Sequence, residues 1–439
     1  MNTTQTISSF VNEQTIVEMV YDSALNTTRF AVYDGQEVHY QDAYDFQDQT
    51  LTPIHPHNDL LRKRVVLFPS EAAEYGTEGD LIKKIQDFVH RYVHISDEFE
   101  KLVPYYVLLT WAYDKFQELP YLRVIGDYGS GKTRFLQAVG SLCYKPIFTA
   151  GATTTAPIFR LIDRLRGTLI MDEADFRHSD MSSDIIKILN SGYAKGFAVI
   201  RCEGNGKSGA YEEKTFEVFG PKILATRETF RDQALESRFL VEHMGRSKIR
   251  SGIPRNLTDD FHREARDIRN QLLMWRFRNH AKPVDLDRLP DLGLHPRLEQ
   301  ISSPLLAIIE SQSVRDQLMR LMKWYNQELL DDRGMSWESQ VLEAIATLYR
   351  ANGKLEYTVN EITAQVNESL DFTDDKFQAR RVGWILRTKL HLKTRKRSSG
   401  YCLSLSEQKE KFIFRCERYG VESPFQNDER LNVVNVIED

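Results

Sequence analysis

The chain has 439 residues, 41% of them hydrophobic and 28% charged. That excludes a disordered or fibrous polymer and leaves room for about three domains of ~150 residues each. The formal net charge of −5 speaks, as an average, against nucleic acid as a partner, because phosphate binding needs local positive charge.

The opening MNTTQTISSFVNEQ has neither a basic start nor an apolar centre. The longest uncharged apolar run, Val103 to Tyr113, is far short of the ~20 residues of a membrane span. A cytoplasmic chain without membrane attachment is expected. The four cysteines are scattered with no C-x-x-C spacing, which predicts a reduced protein with neither a disulfide framework nor a zinc knuckle.

Residues 1–117 read as an α+β region to which the sequence assigns no role. Arg29 to Tyr33 and Val38 to Tyr40 flank Asp34-Gly35, a hairpin signal, and helical spacing runs from Asp80 to about Lys115. His90 and His94 lie four apart, a metal-ligand spacing, but no third ligand is evident; they and the loop residues His55 and His57 read as structural. Across residues 118–250 short apolar runs alternate with helical stretches, which predicts an α/β core of three layers around a parallel sheet.

Residues 251–332 read as a helical lid or linker. In residues 333–406, Ser336 is placed to cap a helix from Trp337 to Arg350, Thr358 and Glu361 form a capping box, and Thr373 is placed to cap a third helix through about Lys389. Two strand-like runs then flank Ser398-Ser399-Gly400. Three helices followed by a hairpin is the winged-helix order, and Val382, Trp384 and Ile385 are assigned to its core. Residues 407–439 read as a helix and tail.

The strongest chemical signal is Gly126-Asp127-Tyr128-Gly129-Ser130-Gly131-Lys132-Thr133, a full G-x-x-x-x-G-K-[ST] between a predicted strand and a predicted helix. Its glycines let backbone N–H groups curl around phosphate oxygens, Lys132 sets a point charge at the β/γ phosphates, and the Thr133 hydroxyl is suited to Mg2+. Taken alone, a glycine turn would also produce it. Forty residues after Lys132, however, an apolar strand ends in Asp172-Glu173. Asp172 is suited to hold Mg2+ through water, and Glu173 to polarise an attacking water as general base. A kinase acting on a small-molecule hydroxyl needs no second carboxylate, so the pair favours ATP hydrolysis.

The stretch from about Leu119 to Arg246 resembles AAA+ ATPases, in particular the MCM-like helicases of bacterial mobile elements and phages. That resemblance implies a sensor-1 strand at Phe219 to Thr226, with Thr226 orienting the lytic water. It implies an S-R-F arginine finger at Arg238, reaching a neighbouring subunit's γ-phosphate, with Arg231 as a competitor and a salt bridge to Glu236 or Glu242 as the bland alternative. It also implies a sensor-2 arginine at Arg297, although an arginine opening a helix after proline is commonplace. Phe197 to Phe219 resembles the presensor hairpin, with Lys207 at its tip on DNA; its mixed charge fits an ordinary hairpin as well. The fit has gaps. Ala150 to Pro157 leaves no room for the helix-2 insert of MCM proteins, and residues 1–117 do not match their N-terminal domain.

The charge question is answered near the C-terminus. Lys376, Arg380, Arg381, Arg387, Lys389, Lys393, Arg395, Lys396 and Arg397 fall within 22 residues that contain no Asp or Glu. A local +9 on the expected recognition helix and wing suits nucleic acid; a solvated basic face, or a protein-binding winged helix, is the alternative. The expectation is an ATP- and Mg2+-dependent AAA+ motor on DNA, assembled as a homo-oligomer, with a hexamer implied by the resemblance. Its rival is an ATP-switched DNA-binding initiator, loader or regulator.

Overall fold

The computed structural model describes residues 2–6, 9–12, 15–172, 180–204, 211–230, 232–245, 249–284, 286, 293–294, 296–334, 337–369 and 377–425. The chain divides into two compact units, Met1–Leu321 and Met322–Asp439.

The first unit opens with β1 (Asn2–Thr6), β2 (Phe10–Asn12), β3 (Thr15–Asp22), β4 (Thr27–Tyr33), β5 (Val38–Gln41), β6 (Tyr44–Phe46) and β7 (Gln49–Pro53). Strands β2 to β5 make an antiparallel meander, and β1, β7 and β6 a three-stranded sheet. The expected turn joins β4 to β5, where Gly35 takes φ +98° and Tyr33 pairs with Val38. Then come α1 (Asp59–Arg62), α2 (Glu78–Tyr92) and α3 (Asp97–Ala112). Apart from its first, acidic turn, α3 is buried along nearly its whole length, as its almost unbroken apolar sequence requires. No helix among the described residues is long and apolar enough to cross a membrane.

The α/β core follows as β8 (Tyr121–Ile125), α4 (Lys132–Gly140), β9 (Ile147–Thr149), α5 (Thr155–Leu165), β10 (Leu169–Met171), α6 (Asp180–Ser191), the hairpin β11 (Val199–Gly204) and β12 (Tyr211–Phe216), β13 (Lys222–Thr226), α7 (Gln233–Glu236) and β14 (Phe239–His243). Five of these strands form one parallel sheet in the order β14-β8-β13-β10-β9. Its central strands are apolar without alternation because both faces are covered. Tyr121, Leu169, Met171 and Leu224 pack with Ile158 and Phe159 of α5 and Ile185 and Leu189 of α6. On the opposite face Ile170 lies against Gly140 of α4. This is the three-layer α/β layout that a P-loop core needs.

The N-terminal strands are packed into the same unit. Val66 bridges Ile147, and the Phe148 N–H donates to the Val65 carbonyl at 2.9 Å, which covers the edge strand β9. Three further helices follow: α8 (Asp259–His280), α9 (Pro296–Ala307) and α10 (Gln312–Gly334), with α8 lying against α2 and α3 and the division between the units falling within α10.

At the centre sits a buried carboxylate. Glu18 Oε1 accepts from Arg276 Nε and from the Tyr144 hydroxyl, both at 2.7 Å, and Lys145 Nζ lies 3.2 Å from Oε2. Arg276 also reaches Asp114 at 2.6 Å. Elsewhere Lys222 Nζ donates to the carbonyls of Gly192, Val218 and Gly220 at 2.9–3.0 Å, and burial pushes its pKa down to about 7.

The second unit contains α11 (Trp337–Asn352), β15 (Glu356–Thr358), α12 (Val359–Ser369), α13 (Ala379–Trp384), one turn of π-helix through Lys389, β16 (Thr394–Arg397), β17 (Gly400–Ser404) and α14 (Lys409–Arg418). The strands pair antiparallel in the order β15-β17-β16. The capping box is present: Glu361 N–H donates to Thr358 Oγ1 at 3.1 Å and Thr358 N–H to Glu361 Oε2 at 2.7 Å. Ser336 and Thr373, assigned to cap α11 and the third helix, lie outside the described residues.

The assignment of Trp384 to the core is corrected. Val382, Ile385 and Leu386 take the i, i+3 and i+4 positions that face inward. Trp384 is left outside the stripe, 49% exposed, with Lys389 Nζ 5.6 Å from its ring centre.

Glu18→Ala is expected to lower unfolding free energy by ~3–5 kcal/mol, because it takes a carboxylate away from buried Lys145 and leaves buried Arg276 with Asp114 as its carboxylate partner. Burial alone would raise the Glu18 pKa, but Lys145, Arg276 and the Tyr144 hydroxyl outweigh it and hold the carboxyl below its ordinary 4.5. Its contribution is therefore complete above that value and drains as pH falls through the folded pKa. Urea titrations at several pH values should show wild-type stability falling on acidification below ~4.5, with a shallower slope for Glu18→Gln.

Candidate nucleotide site

The site forms where β8, β13 and β10 end together, and α4 begins immediately beyond β8. This is the carboxyl edge of a parallel sheet, where such folds bind ligands. Gly129 and Gly131 take φ +76° and +96°, backbone that side chains rarely adopt, and this turns the loop into the first turn of α4. A Cβ on Gly126 would stand 2.6 Å from Ser130 Oγ and 2.8 Å from the Met244 carbonyl, so glycine is required there by space.

Lys132 Nζ donates to the carbonyls of Gly126 at 2.6 Å and Asp127 at 2.8 Å, folding back over its own loop. Thr133 Oγ1 donates to Asp172 Oδ2 at 2.7 Å. Residues 39 apart in sequence, on different strand–helix junctions, thus meet in one hydrogen bond. Thr226 ends β13, which lies between β8 and β10; its hydroxyl and that of Ser130 are buried without a hydrogen-bond partner among the described residues. A cavity of about 250 Å3 adjoins the loop, lined in part by Asp127, Tyr128, Gly129, Ser130 and Met244.

A magnesium–nucleotide fits these residues. The loop amides and Lys132 are donors for phosphate, Thr133 and Asp172 are hard oxygen ligands of the kind Mg2+ prefers, and two buried hydroxyls are left to be satisfied. Glu173, assigned as general base, lies outside the described residues, as do Arg231, Lys207 and the rest of the hairpin tip at 205–210. The hairpin beneath that tip is formed, from Val199 opposite Phe216 to Gly204 opposite Tyr211.

The two candidate arginines meet at one ring. Arg238 is buried, with its guanidinium carbon 4.2 Å from the Tyr193 ring centre and Nη1 bonded to Asn190 Oδ1. Arg297 lies 5.2 Å from the same ring and donates to Gln300 at 2.6 Å. The carboxylates named as alternative partners of Arg238 are engaged elsewhere: Glu236 pairs with buried Arg123, and Glu242 accepts from the Ser96 N–H and hydroxyl, both at 2.8 Å. Asn190 and Tyr193 had no signal in the sequence; only the approach of the C-terminal end of α6 to Arg238 reveals them. His90, considered for metal, bonds Glu100 at 2.9 Å and Arg250 at 3.0 Å.

In the second unit, Arg380, Arg381, Arg387, Lys393, Arg395, Lys396 and Arg397 are exposed and Lys389 half-buried; Lys376 is not among the described residues. Two of the positives are answered locally, Arg395 by Glu407 at 2.8 Å and Arg397 by Glu356 at 3.2 Å. Exposed aromatics stand among them: Arg387 lies 5.6 Å from the ring centre of Tyr401, and Lys389 the same distance from Trp384.

No family model and no curated protein match this chain. Among solved structures it is similar to the C-terminal region of NrS-1, at 12% identity and TM-score 0.36, over 88% of this chain and 96% of that one. It is similar to the JCV helicase at 12% identity and TM-score 0.26, over 57% and 62% of the two chains. A full-length MCM homolog from Methanopyrus kandleri matches at 13% identity and TM-score 0.33, over 69% of each. Likenesses this distant do not bear on what the site does.

Asp172→Asn should weaken Mg2+-dependent nucleotide binding by ~10–100-fold, the usual cost of losing a group that positions a metal's ligands. Binding measured in EDTA should change little. Titration of a fluorescent ATP analogue with and without Mg2+ reads both.

Proposed function

We propose that this protein is an ATP-hydrolysing AAA+ motor acting on DNA, working as a homo-hexameric, MCM-like helicase. The observation that carries the ATPase reading is the 2.7 Å bond between Thr133 and Asp172, which joins the two halves of a metal–phosphate site at one sheet edge. Bound Mg2+ would neutralise charge on the β and γ phosphates. Around it Lys132 binds phosphate, Thr133 and Asp172 hold the metal, Thr226 orients water from between the strands, and Glu173 takes the water's proton.

Arg238 serves as the finger for a neighbouring subunit. To do so it must leave Asn190 and Tyr193, so subunit docking and release of that side chain are one event. The exposed cations of the second unit, interleaved with Trp384 and Tyr401, support DNA contact through a winged-helix module, since aromatic faces among arginines suit unstacked bases and phosphates together.

Strand separation by purified protein on forked DNA tests the whole reading. Wild type should unwind in an ATP-dependent manner, with hydrolysis rising on single-stranded DNA, and Lys132→Ala should do neither. ATP-dependent assembly on DNA without any unwinding would instead identify a switch such as an initiator or loader. Arg238→Ala should retain nucleotide affinity and lose turnover by ~10³-fold or more, as read by steady-state hydrolysis beside analogue binding. Turnover within a few-fold of wild type would remove Arg238 from the finger role.

A further inference from the structure

A second concentration of positive charge lies within the first unit, at residues that do not belong to the Gly126–Thr133 loop. A cavity of about 370 Å3 lies between the segment after α1 and the first turns of α8. Arg62, Arg64, Arg263, Arg266, Arg269 and His262 line it, and among the described residues Asp259 is the single lining carboxylate. A neighbouring cavity of about 480 Å3 shares Arg64 and His262 and adds Arg134 and Arg255.

The arginines are poorly answered from within. Arg269 is buried, with Nε and Nη1 donating to the carbonyls of Phe68 and Ser141 at 3.3 and 2.7 Å, and no carboxylate pairs with it among the described residues. Burial first, then the charges of Arg266 and Arg64, push its pKa down to about 9 against the pull of Asp267. Arg62 and Arg64 form no ion pair among the described residues, while Arg263 and Arg266 pair only with exposed neighbours on their own helix, Asp260 and Asp267. Arg64 also holds a left-handed backbone, φ +54°, a conformation costly for a residue with a side chain.

Like charges gathered at a cavity raise the free energy of the unliganded protein, and an anion there relieves it. Seven guanidiniums exceed what one phosphate, carrying ~2 negative charges at most, can neutralise, and their planar forks suit phosphate oxygens. We propose that the two adjoining cavities bind the phosphodiester backbone of a nucleic-acid strand, engaging more than one phosphate. The proposal rests on the reading of this protein as one that handles DNA. It adds a track beside the nucleotide helix itself: Arg134 follows Thr133 on α4 and donates to the carbonyls of Pro254 and Arg255 at 2.8 and 2.7 Å.

The test is fluorescence anisotropy of labelled single-stranded and duplex oligonucleotides over a salt series, using the full chain with a non-hydrolysable ATP analogue. Arg64→Glu with Arg263→Glu changes two exposed side chains, and the thermal midpoint reports whether the fold is kept; Arg64→Gln with Arg263→Gln is the milder pair. Either pair should weaken binding at least ~10-fold and flatten the slope of log affinity against log salt by about one for each phosphate no longer neutralised. Lys83→Glu with Lys101→Glu, the same charge change elsewhere, should leave both within about twofold of wild type.

Unchanged affinity and slope in the arginine variants, beside a wild type that binds, would overturn the proposal alone. So would a cleft whose variants lose only stabilisation by inorganic phosphate or pyrophosphate, which would make it a small-anion site. A wild type that binds no oligonucleotide in any nucleotide state would instead remove the underlying DNA reading.

Discussion

Glu18 is the charge on which the first unit closes. Its carboxylate is buried, and its partners come from two distant stretches of chain: Tyr144 and Lys145 just past the helix that begins at Lys132, and Arg276 from α8. Burying a carboxylate alone is prohibitive, and burying it with two cations and a hydroxyl is tolerable only while all of them hold their geometry. The N-terminal strands, the segment just past α4, and α8 are thereby tied at one point. Arg276 extends the tie through Asp114, whose pKa burial would raise but which Arg276 and His280 hold below the ordinary range. The strands at residues 2–53 are therefore built into the same body as the sheet that carries the candidate site.

That tie helps to set where the site falls. With α4 fixed at its far end through Tyr144 and Lys145, its near end presents Lys132 and Thr133 at the mouth of β8, within reach of Asp172 at the end of β10. The intervening strand β13 is anchored at its start by Lys222, whose ammonium is held by three carbonyls, and its other end delivers Thr226. The polar groups of the site are few, and they are set by the ends of β8, β10 and β13, strands that are buried throughout.

Much of this was legible in the residues. The turn of the Gly126–Thr133 loop could be read because its glycines are demanded by backbone geometry and space, and the approach of Asp172 because its apolar strand had to lie in the same sheet as β8. The Asp34-Gly35 turn and the Thr358–Glu361 capping box are local in the same way: each is decided by residues within four positions of one another. What escaped reading depends on distance. Nothing near Glu18 announces Arg276, and nothing near Arg238 announces Asn190 or Tyr193. Arg62 and Arg64 look like ordinary surface charge until α8 brings Arg263, Arg266 and Arg269 to the same cavity. Trp384 misleads for a local reason: a large aromatic between apolar neighbours reads as core, whereas the helical phase gives the inward positions to Val382, Ile385 and Leu386.

The separation between Glu18 and Arg276 also has a consequence for the chain as it is made. Their bond spans 258 positions, so the N-terminal strands leave the ribosome long before their neutralising partner exists. At synthesis rates of ~5–20 residues per second, that interval is roughly 13–50 s. Throughout it Glu18 must stay hydrated or take up a proton, and the apolar faces of β3 and β4 must wait uncovered or be sheltered by another protein. The arrival of α8 is then the step that lets the first unit lock, and the nascent strands are at greatest risk of pairing with the wrong edge before it comes.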